Sequence, residues 1–91
     1  MVIWLPDFVE KIQAKHGLTQ SEVEEVLLQR PHVRFIERRR TPGEHLYAAY
    51  GQSFVGRYLT VFFVLKVDRS ALIISARDMD STEKRRYGRR K

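Results

Sequence analysis

The chain has 91 residues, which is enough for one compact domain with a modest hydrophobic core. It contains no cysteine, which excludes a disulfide framework and thiolate chemistry and is typical of a reducing compartment. Its longest apolar run, residues 61–65, is far shorter than the ~20 residues that a membrane-spanning helix needs. We therefore expect one soluble, cytoplasmic domain that covers residues 1–91.

Positive charge is concentrated at the end of the chain. Six of the 17 Lys and Arg residues lie in residues 84–91, and none of the 11 acidic residues does. The net charge of +6 therefore belongs to this segment, because residues 1–83 are formally neutral. A basic segment beside a neutral body is typical of a protein that binds a polyanion or an acidic partner.

The first part of the chain predicts a short strand and two helices. Residues 2–4 are apolar and β-favouring, and Pro6 fits the first turn of a helix. Apolar residues then recur at helical spacing up to Gly17, which is placed to end the helix in a left-handed conformation. A second helix follows, with Thr19 or Ser21 as its cap.

The remainder predicts four strands in succession and a terminal helix. The strands are expected over residues 33–38, 45–53, 57–67 and 71–77. The third is apolar through most of its length, as expected for a central strand that is covered on both faces. Asp80 and Glu83 have the spacing of a capping box, so a short helix should begin there. This order of elements indicates an α+β domain with a mostly antiparallel sheet.

The strongest candidate for a chemical site combines the end of the last strand with one face of the terminal helix. Arg77 ends the strand, and Glu83, Arg86 and Tyr87 share a helical face that can look back over it. RNA cleavage without a metal needs a proton acceptor, cations to stabilise the phosphorane, and a proton donor. Arginine suits the second task, and Glu, His or Tyr the other two. Simpler interpretations stay open: Glu83 as a helix cap alone, and Tyr87 as a packing anchor alone.

The basic tail is the expected RNA-binding segment. Its candidate contacts are Lys84, Arg85, Arg86, Arg89 and Arg90, together with Arg77. A solvated or partner-binding tail is the alternative. Because the terminal helix has almost no apolar stripe, we expect the body to hold it weakly and its end to fray.

Lys15 and His16 form a second candidate site at the end of the first helix. The negative end of the helix dipole favours a protonated imidazole there, although an ordinary surface histidine fits as well. Arg57 is a further candidate because it can project at the end of a strand, with a solvent-facing arginine as the alternative. The other histidines, His32 and His45, lack ligand spacing, so neither a metal nor another cofactor is expected.

Several of these elements occur together in a known family. In chain order they are Trp4, Lys15-His16-Gly17, Glu22 with Glu25-Val26, Gly51, Gly56-Arg57-Tyr58-Leu59, Ile74-Ser75-Ala76-Arg77 and Glu83-Lys84-Arg85-Arg86-Tyr87. With this series the chain resembles the BrnT family of bacterial toxins, part of the RelE-like group of small ribonucleases, over nearly all of its length. The most specific element is Ile-Ser-Ala-Arg with Glu-x-x-x-Tyr beginning six residues after the arginine.

The resemblance implies a RelE-like fold and a toxin that cleaves mRNA, free or on the ribosome, and so inhibits translation. It also implies a ribbon-helix-helix antitoxin, BrnA, that binds and silences the toxin, with DNA contacted only through their complex. By matching motif, the implied catalytic positions are Lys15, His16, Arg57, Arg77, Glu83 and Tyr87, with Arg86 as a weaker addition.

The chain also departs from the family pattern. Leu72 and Asp78 stand where family members commonly have basic residues, and Leu5 replaces the usual aspartate after tryptophan. Fewer cations would weaken stabilisation of the phosphorane. The alternative function is therefore a catalytically weak or inactive module that binds RNA or the antitoxin on the same fold.

Overall fold

The computed structural model describes residues 1–89 and has the predicted α+β class and order of elements. In chain order the elements are β1 (Val2–Ile3), α1 (Pro6–His16), α2 (Gln20–Leu28), β2 (His32–Arg38), β3 (His45–Gln52), β4 (Tyr58–Leu65), β5 (Ala71–Asp78) and α3 (Ser81–Arg89). Within this described part, none of the helices combines the length and the hydropathy that crossing a bilayer requires.

The strands of the described chain form one sheet in the order β1-β5-β4-β3-β2. β1 pairs with β5 in parallel, and every other neighbouring pair is antiparallel. β4 lies at the centre, which confirms the interpretation of its apolar run, and β2 forms one edge. The hairpin connections between successive strands account for this simple order.

Local sequence signals set the corner between α1 and α2. Gly17 ends α1 at φ 61°, where its N–H donates to the Gln13 carbonyl at 3.0 Å. Thr19, rather than Ser21, caps α2: its hydroxyl accepts the Glu22 N–H at 3.2 Å, and the Glu22 carboxylate accepts the Thr19 N–H at 3.1 Å. A left-handed glycine followed by a capping box turns the chain sharply, so both helices can lie on the same side of the sheet.

The hydrophobic core lies between these two helices and one face of the sheet. Its buried members are Ile12, Leu18, Val23, Val26, Ala49, Leu59, Val61, Phe63, Ile73 and Ala76. Along β4 the core residues alternate, because successive side chains of a strand point to opposite faces. The intervening residues, Thr60 and Phe62, therefore point to the other face.

A β-bulge in β5 decides which of its side chains reach that other face. Phe63 pairs with Ile73 and Phe62 with Ser75, so Ile74 is an extra residue without a partner. As a result Ile73 and Ala76 both belong to the core although they are three residues apart. Arg77, which pairs with Thr60, lies on the face opposite α1 and α2.

Candidate active site

The sheet face opposite α1 and α2 carries a row of polar and aromatic side chains. The strand register places His32, Tyr50, Thr60 and Arg77 side by side across four strands. α3 lies against this face, and the Thr60 hydroxyl donates to the carboxylate of Glu83 at 3.1 Å. The sequence predicts that Arg77 and Glu83 lie together, but it does not indicate His32 or Tyr50 as their neighbours.

Arg77 and Glu83 form a two-bond ion pair on this face. Nη1 of Arg77 donates to Oε1 of Glu83 at 2.6 Å, and Nη2 donates to Oε2 at 2.8 Å. The side chains are 34% and 15% exposed, so water screens the pair only in part. The hydrogen bonds of Arg77 within residues 1–89 engage three of its five N–H groups, which leaves donors for a phosphate oxygen.

Glu83 also completes the cap of α3. Its Oε1 accepts the Asp80 N–H at 3.0 Å, and the Asp80 carboxylate accepts the Glu83 N–H at 2.8 Å. Burial alone would raise the pKa of Glu83, but hydrogen bonds from Arg77 and from the Asp80 backbone outweigh it, so the pKa is lowered. Glu83 is therefore a helix cap and, at the same time, the partner of Arg77.

A cavity of about 80 Å³ opens beside this ion pair. It is lined by His32, Arg34, Tyr50, Thr82, Glu83 and Arg86. The ring centroids of His32 and Tyr50 lie 6.3 Å apart. Two arginines, an imidazole and a phenol around a space of this size suit a phosphate group, because guanidinium groups bind phosphate oxygens in pairs.

No motif in the sequence indicates His32, Arg34 or Tyr50 as site residues, because their placement depends on the β2–β3 register. The alternation of His32 and Arg34 along the chain does place them on one face. Their neighbours across the hairpin depend on the register, however, and that register shifts at a bulge between Phe35 and Glu37. The sequence gives no clear signal for this bulge.

Arg57 occupies a different place, where α1, β4 and β5 meet. Its five N–H groups donate to Asp78 at 2.8 and 3.0 Å, to the His16 and Gly17 carbonyls at 2.7 and 3.3 Å, and to Glu22 at 3.4 Å. Hydrogen bonding between Arg57 and Asp78 raises the pKa of Arg57 and lowers the pKa of Asp78. Arg57 is thus neither a solvent-facing arginine nor a cation with spare donors; it clamps the end of α1 to β5.

Lys15 and His16 lie at the end of α1 beside β5. They line a cleft of about 290 Å³ with Phe8, Lys11, Ile12, Ile74 and Ser75. Within residues 1–89, no hydrogen bond or ion pair joins Lys15 or His16 to Arg77 or Glu83. The implied catalytic positions therefore divide into a group around Arg77 and a group around the end of α1.

Tyr87 and the basic residues of α3 complete the region. The Tyr87 ring meets the Tyr58 ring edge-on, with centroids 6.0 Å apart. Lys84 places its ammonium 5.7 Å from the centre of the same Tyr58 ring. The bases Lys84, Arg85, Arg86 and Arg89 are all exposed, whereas Arg90 lies outside the described residues. α3 thus presents a basic outer surface next to the Arg77–Glu83 pair.

Comparison with known proteins gives the family. The family model for the ribonuclease toxin, BrnT, of type II toxin–antitoxin systems matches residues 4–83. The chain belongs to this family. The chain is similar to the 1.1 Å crystal structure of the Brucella abortus ribonuclease toxin, BrnT, with a TM-score of 0.61 and a sequence identity of 20%. The match covers 88% of this chain and 96% of that one, which shows a shared fold compatible with the RelE-like class. No curated protein matches the chain.

The Arg57 clamp of this BrnT family member generates a prediction about stability. We expect Arg57→Ala to lower the free energy of unfolding by about 1–2 kcal/mol, because two carbonyls at the end of α1 and the Asp78 carboxylate lose their donor. Arg57→Lys should recover only part of this, since one ammonium cannot reach all of these acceptors. Urea unfolding measures both, with Arg39→Ala in the β2–β3 loop as the control. Equal stability of Arg57→Ala and wild type would contradict the clamp.

The lowered pKa of Glu83 predicts how stability depends on pH. A carboxyl whose pKa falls below its ordinary value of 4.5 stabilises the fold fully above that value. The contribution is lost as pH falls through the folded-state pKa. We therefore expect the stability difference between wild type and Glu83→Gln to be largest at neutral pH and to shrink in acid. Unfolding experiments across this range test the expectation, and a difference independent of pH would show that the carboxylate charge does not stabilise the fold.

Proposed function

We propose that this protein is a metal-independent endoribonuclease toxin whose active site is the sheet face around Arg77. The observation that carries the proposal is the fixed Arg77 guanidinium beside a phosphate-sized cavity lined by Arg34 and Arg86. Cations held in fixed positions stabilise the charge that develops on a phosphorane and cost no reorganisation during the reaction. Membership of a ribonuclease toxin family supports RNA as the substrate.

The proposed reaction begins with attack of an RNA 2′-oxygen on the neighbouring phosphorus, while the 5′-oxygen of the next nucleotide leaves. Arg77 is assigned to the phosphate oxygens, because it keeps N–H donors beyond those that Glu83 uses. Arg34 and Arg86 line the cavity next to the Arg77–Glu83 pair and would hold the adjoining backbone. Glu83 is assigned to positioning Arg77.

His32 and Tyr50 are the groups that we assign to proton transfer. Both line the cavity, and imidazole is the commonest general acid and base near neutral pH. Glu83 is less suited, because a lowered pKa makes it a weaker base. Its oxygens also already accept bonds from Arg77, Thr60 and the Asp80 backbone.

The remaining candidate residues receive supporting roles in this proposal. Arg57 would hold the end of α1 against β5, and Tyr87 would anchor α3 through Tyr58. Lys15 and His16 would contact a further part of the RNA strand from their cleft. The bases Lys84, Arg85, Arg86 and Arg89, with Arg90 beyond the described residues, would attract the polyanion over a longer range.

The partner and location follow from the same proposal. The family places the protein in a type II toxin–antitoxin system, which implies an antitoxin. We propose that this is a BrnA-like ribbon-helix-helix protein that silences the toxin and alone brings the complex to DNA. The substrate would be mRNA, free or on the ribosome, so the toxin would inhibit translation in the cytoplasm.

A second candidate function is a catalytically weak or inactive module that binds RNA or the antitoxin. Asp78 favours this second function, because an acid stands where family members commonly have a base. Its carboxylate forms an ion pair with Arg57. The exposed bases of α3 fit this candidate equally well. RNA cleavage by the purified protein separates the two candidates.

Arg77→Ala is the variant that tests the proposal. We expect it to reduce the rate of mRNA cleavage by about 10²–10³-fold, because the phosphorane loses its fixed cation. The measurement uses purified protein and end-labelled mRNA, with and without ribosomes, at a temperature where both proteins stay folded. Arg39→Ala, the same change on the exposed β2–β3 loop, should leave the rate unchanged.

Two results would overturn the assignment. Cleavage by Arg77→Ala at the wild-type rate would show that the site lies elsewhere. RNA binding by the wild type without any cleavage, in the presence of ribosomes as well, would favour the binding module.

The role of His32 has its own test. We expect His32→Gln to slow cleavage by about 10²-fold and to remove one limb of the pH–rate profile, while RNA affinity stays within a few-fold. His45→Gln is the matched control, because His45 packs against Phe35 away from the cavity. A slower reaction with an unchanged pH profile would assign His32 to packing and not to proton transfer.

A further inference from the structure

The strand β2 is an exposed edge of the sheet. All seven of its residues are exposed, and within residues 1–89 no strand pairs with its outer side. The backbone N–H and C=O groups on that side form a template on which another strand can pair.

The two faces of β2 have different chemistry. His32 and Arg34 point to the site face and line the small cavity. Val33 and Phe35 alternate with them and are 46% and 50% exposed. Large apolar side chains beside an unpaired strand edge indicate a surface that a partner covers.

We propose that this edge binds an extended segment of a partner protein in which acidic and apolar residues alternate. In a paired strand, alternate side chains lie next to alternate side chains of β2. The apolar residues of the segment would contact Val33 and Phe35, and its acidic residues would meet His32 and Arg34. Both the charge and the polarity of this edge are matched only when the two residue types alternate.

Charge argues against a second copy of this chain as the occupant. Residues 32–40 contain four arginines and one acid, Glu37. Two such edges placed together would bring like charges close to each other, which destabilises strand pairing. RNA would satisfy the arginines, but it offers neither a strand for the exposed backbone nor aliphatic side chains for Val33.

The bulge in β2 sets the length of the docking segment. The register shift between Phe35 and Glu37 interrupts the regular strand, and Pro31 precedes it. Regular pairing is therefore available over His32–Phe35, so a segment of about four residues is sufficient.

The β2 edge also carries part of the proposed active site. Because His32 and Arg34 belong both to β2 and to the cavity lining, acidic side chains seated beside them compete with phosphate for the same N–H donors. If the proposed nuclease activity is correct, on which this step rests, an antitoxin segment on β2 silences the toxin by excluding RNA from the site.

The test uses a labelled synthetic peptide of four alternating Glu-Val pairs with blocked ends. The control peptide has the same composition, with four glutamates followed by four valines. We expect the alternating peptide to bind about tenfold more tightly, a difference near 1.4 kcal/mol, and its affinity to fall as salt is added. Hydrogen exchange measured by mass spectrometry should slow over residues 32–35 when it binds.

Matched variants distinguish binding at the β2 edge from attraction of the acidic peptide to the basic protein in general. Val33→Thr with Phe35→Thr keeps the preference for strand and removes the apolar contact, and should weaken binding about tenfold. Phe54→Thr with Val55→Thr makes the same change on the β3–β4 turn, where the side chains are 65% and 87% exposed, and should have no effect. Neither binding nor exchange depends on RNA cleavage, so an inactive toxin would still test the edge.

Four results would overturn the inference: equal affinity for the two peptides; slowed exchange in α3 with β2 unchanged; slowed exchange of β2 with an RNA oligonucleotide but not with the peptide; or a dimer in sedimentation that the Val33→Thr and Phe35→Thr changes dissociate.

Discussion

The ion pair between Arg77 and Glu83 joins the two elements from which the candidate site is built. It ties the end of β5 to the first turn of α3, and the same carboxylate closes the cap of that helix. No described residue of α3 is buried, so this pair and the contact of Tyr87 with Tyr58 supply much of its hold on the sheet. One interaction therefore fixes the guanidinium and positions the basic helix beside it. Ion pairing and hydrogen bonding therefore hold the candidate site together, on the sheet face opposite α1 and α2.

The parts of the structure that depend on neighbouring residues in the chain were predictable from the sequence. Gly17, the Thr19 cap and the Asp80–Glu83 capping box each act within a few residues, and each is present. The partners of Arg77 across the sheet were not predictable in the same way. They depend on the register of β5, where the bulge at Ile74 changes which side chains share a face.

Arg57 shows why a resemblance between sequences does not by itself give a role. The family motif suggests that Arg57 is catalytic. In the structure, however, carbonyls and carboxylates accept hydrogen bonds from all five of the Arg57 N–H groups. Asp78, which looked like the loss of a cation, is the main partner of this arginine. Asp78 and the engaged state of Arg57 therefore have one structural explanation: the carboxylate at position 78 binds Arg57 and holds it between the end of α1 and β5. His32 and Arg34, which no motif indicated, line the cavity together with Glu83. His32 lies in the same cross-strand row as Arg77 because the strands pair as they do.

The most direct test of the proposed site is an NMR titration that follows the arginine Nε–H signals. The ligand is a fully 2′-O-methylated RNA oligonucleotide, which can bind but cannot supply the attacking 2′-hydroxyl. The proposal predicts that the Arg77 Nε–H and the His32 ring signals shift on binding, while the Arg57 Nε–H signal stays in place because its donors are already engaged. Shifts confined to Lys15 and His16, with Arg77 unchanged, would move the RNA site to the cleft at the end of α1.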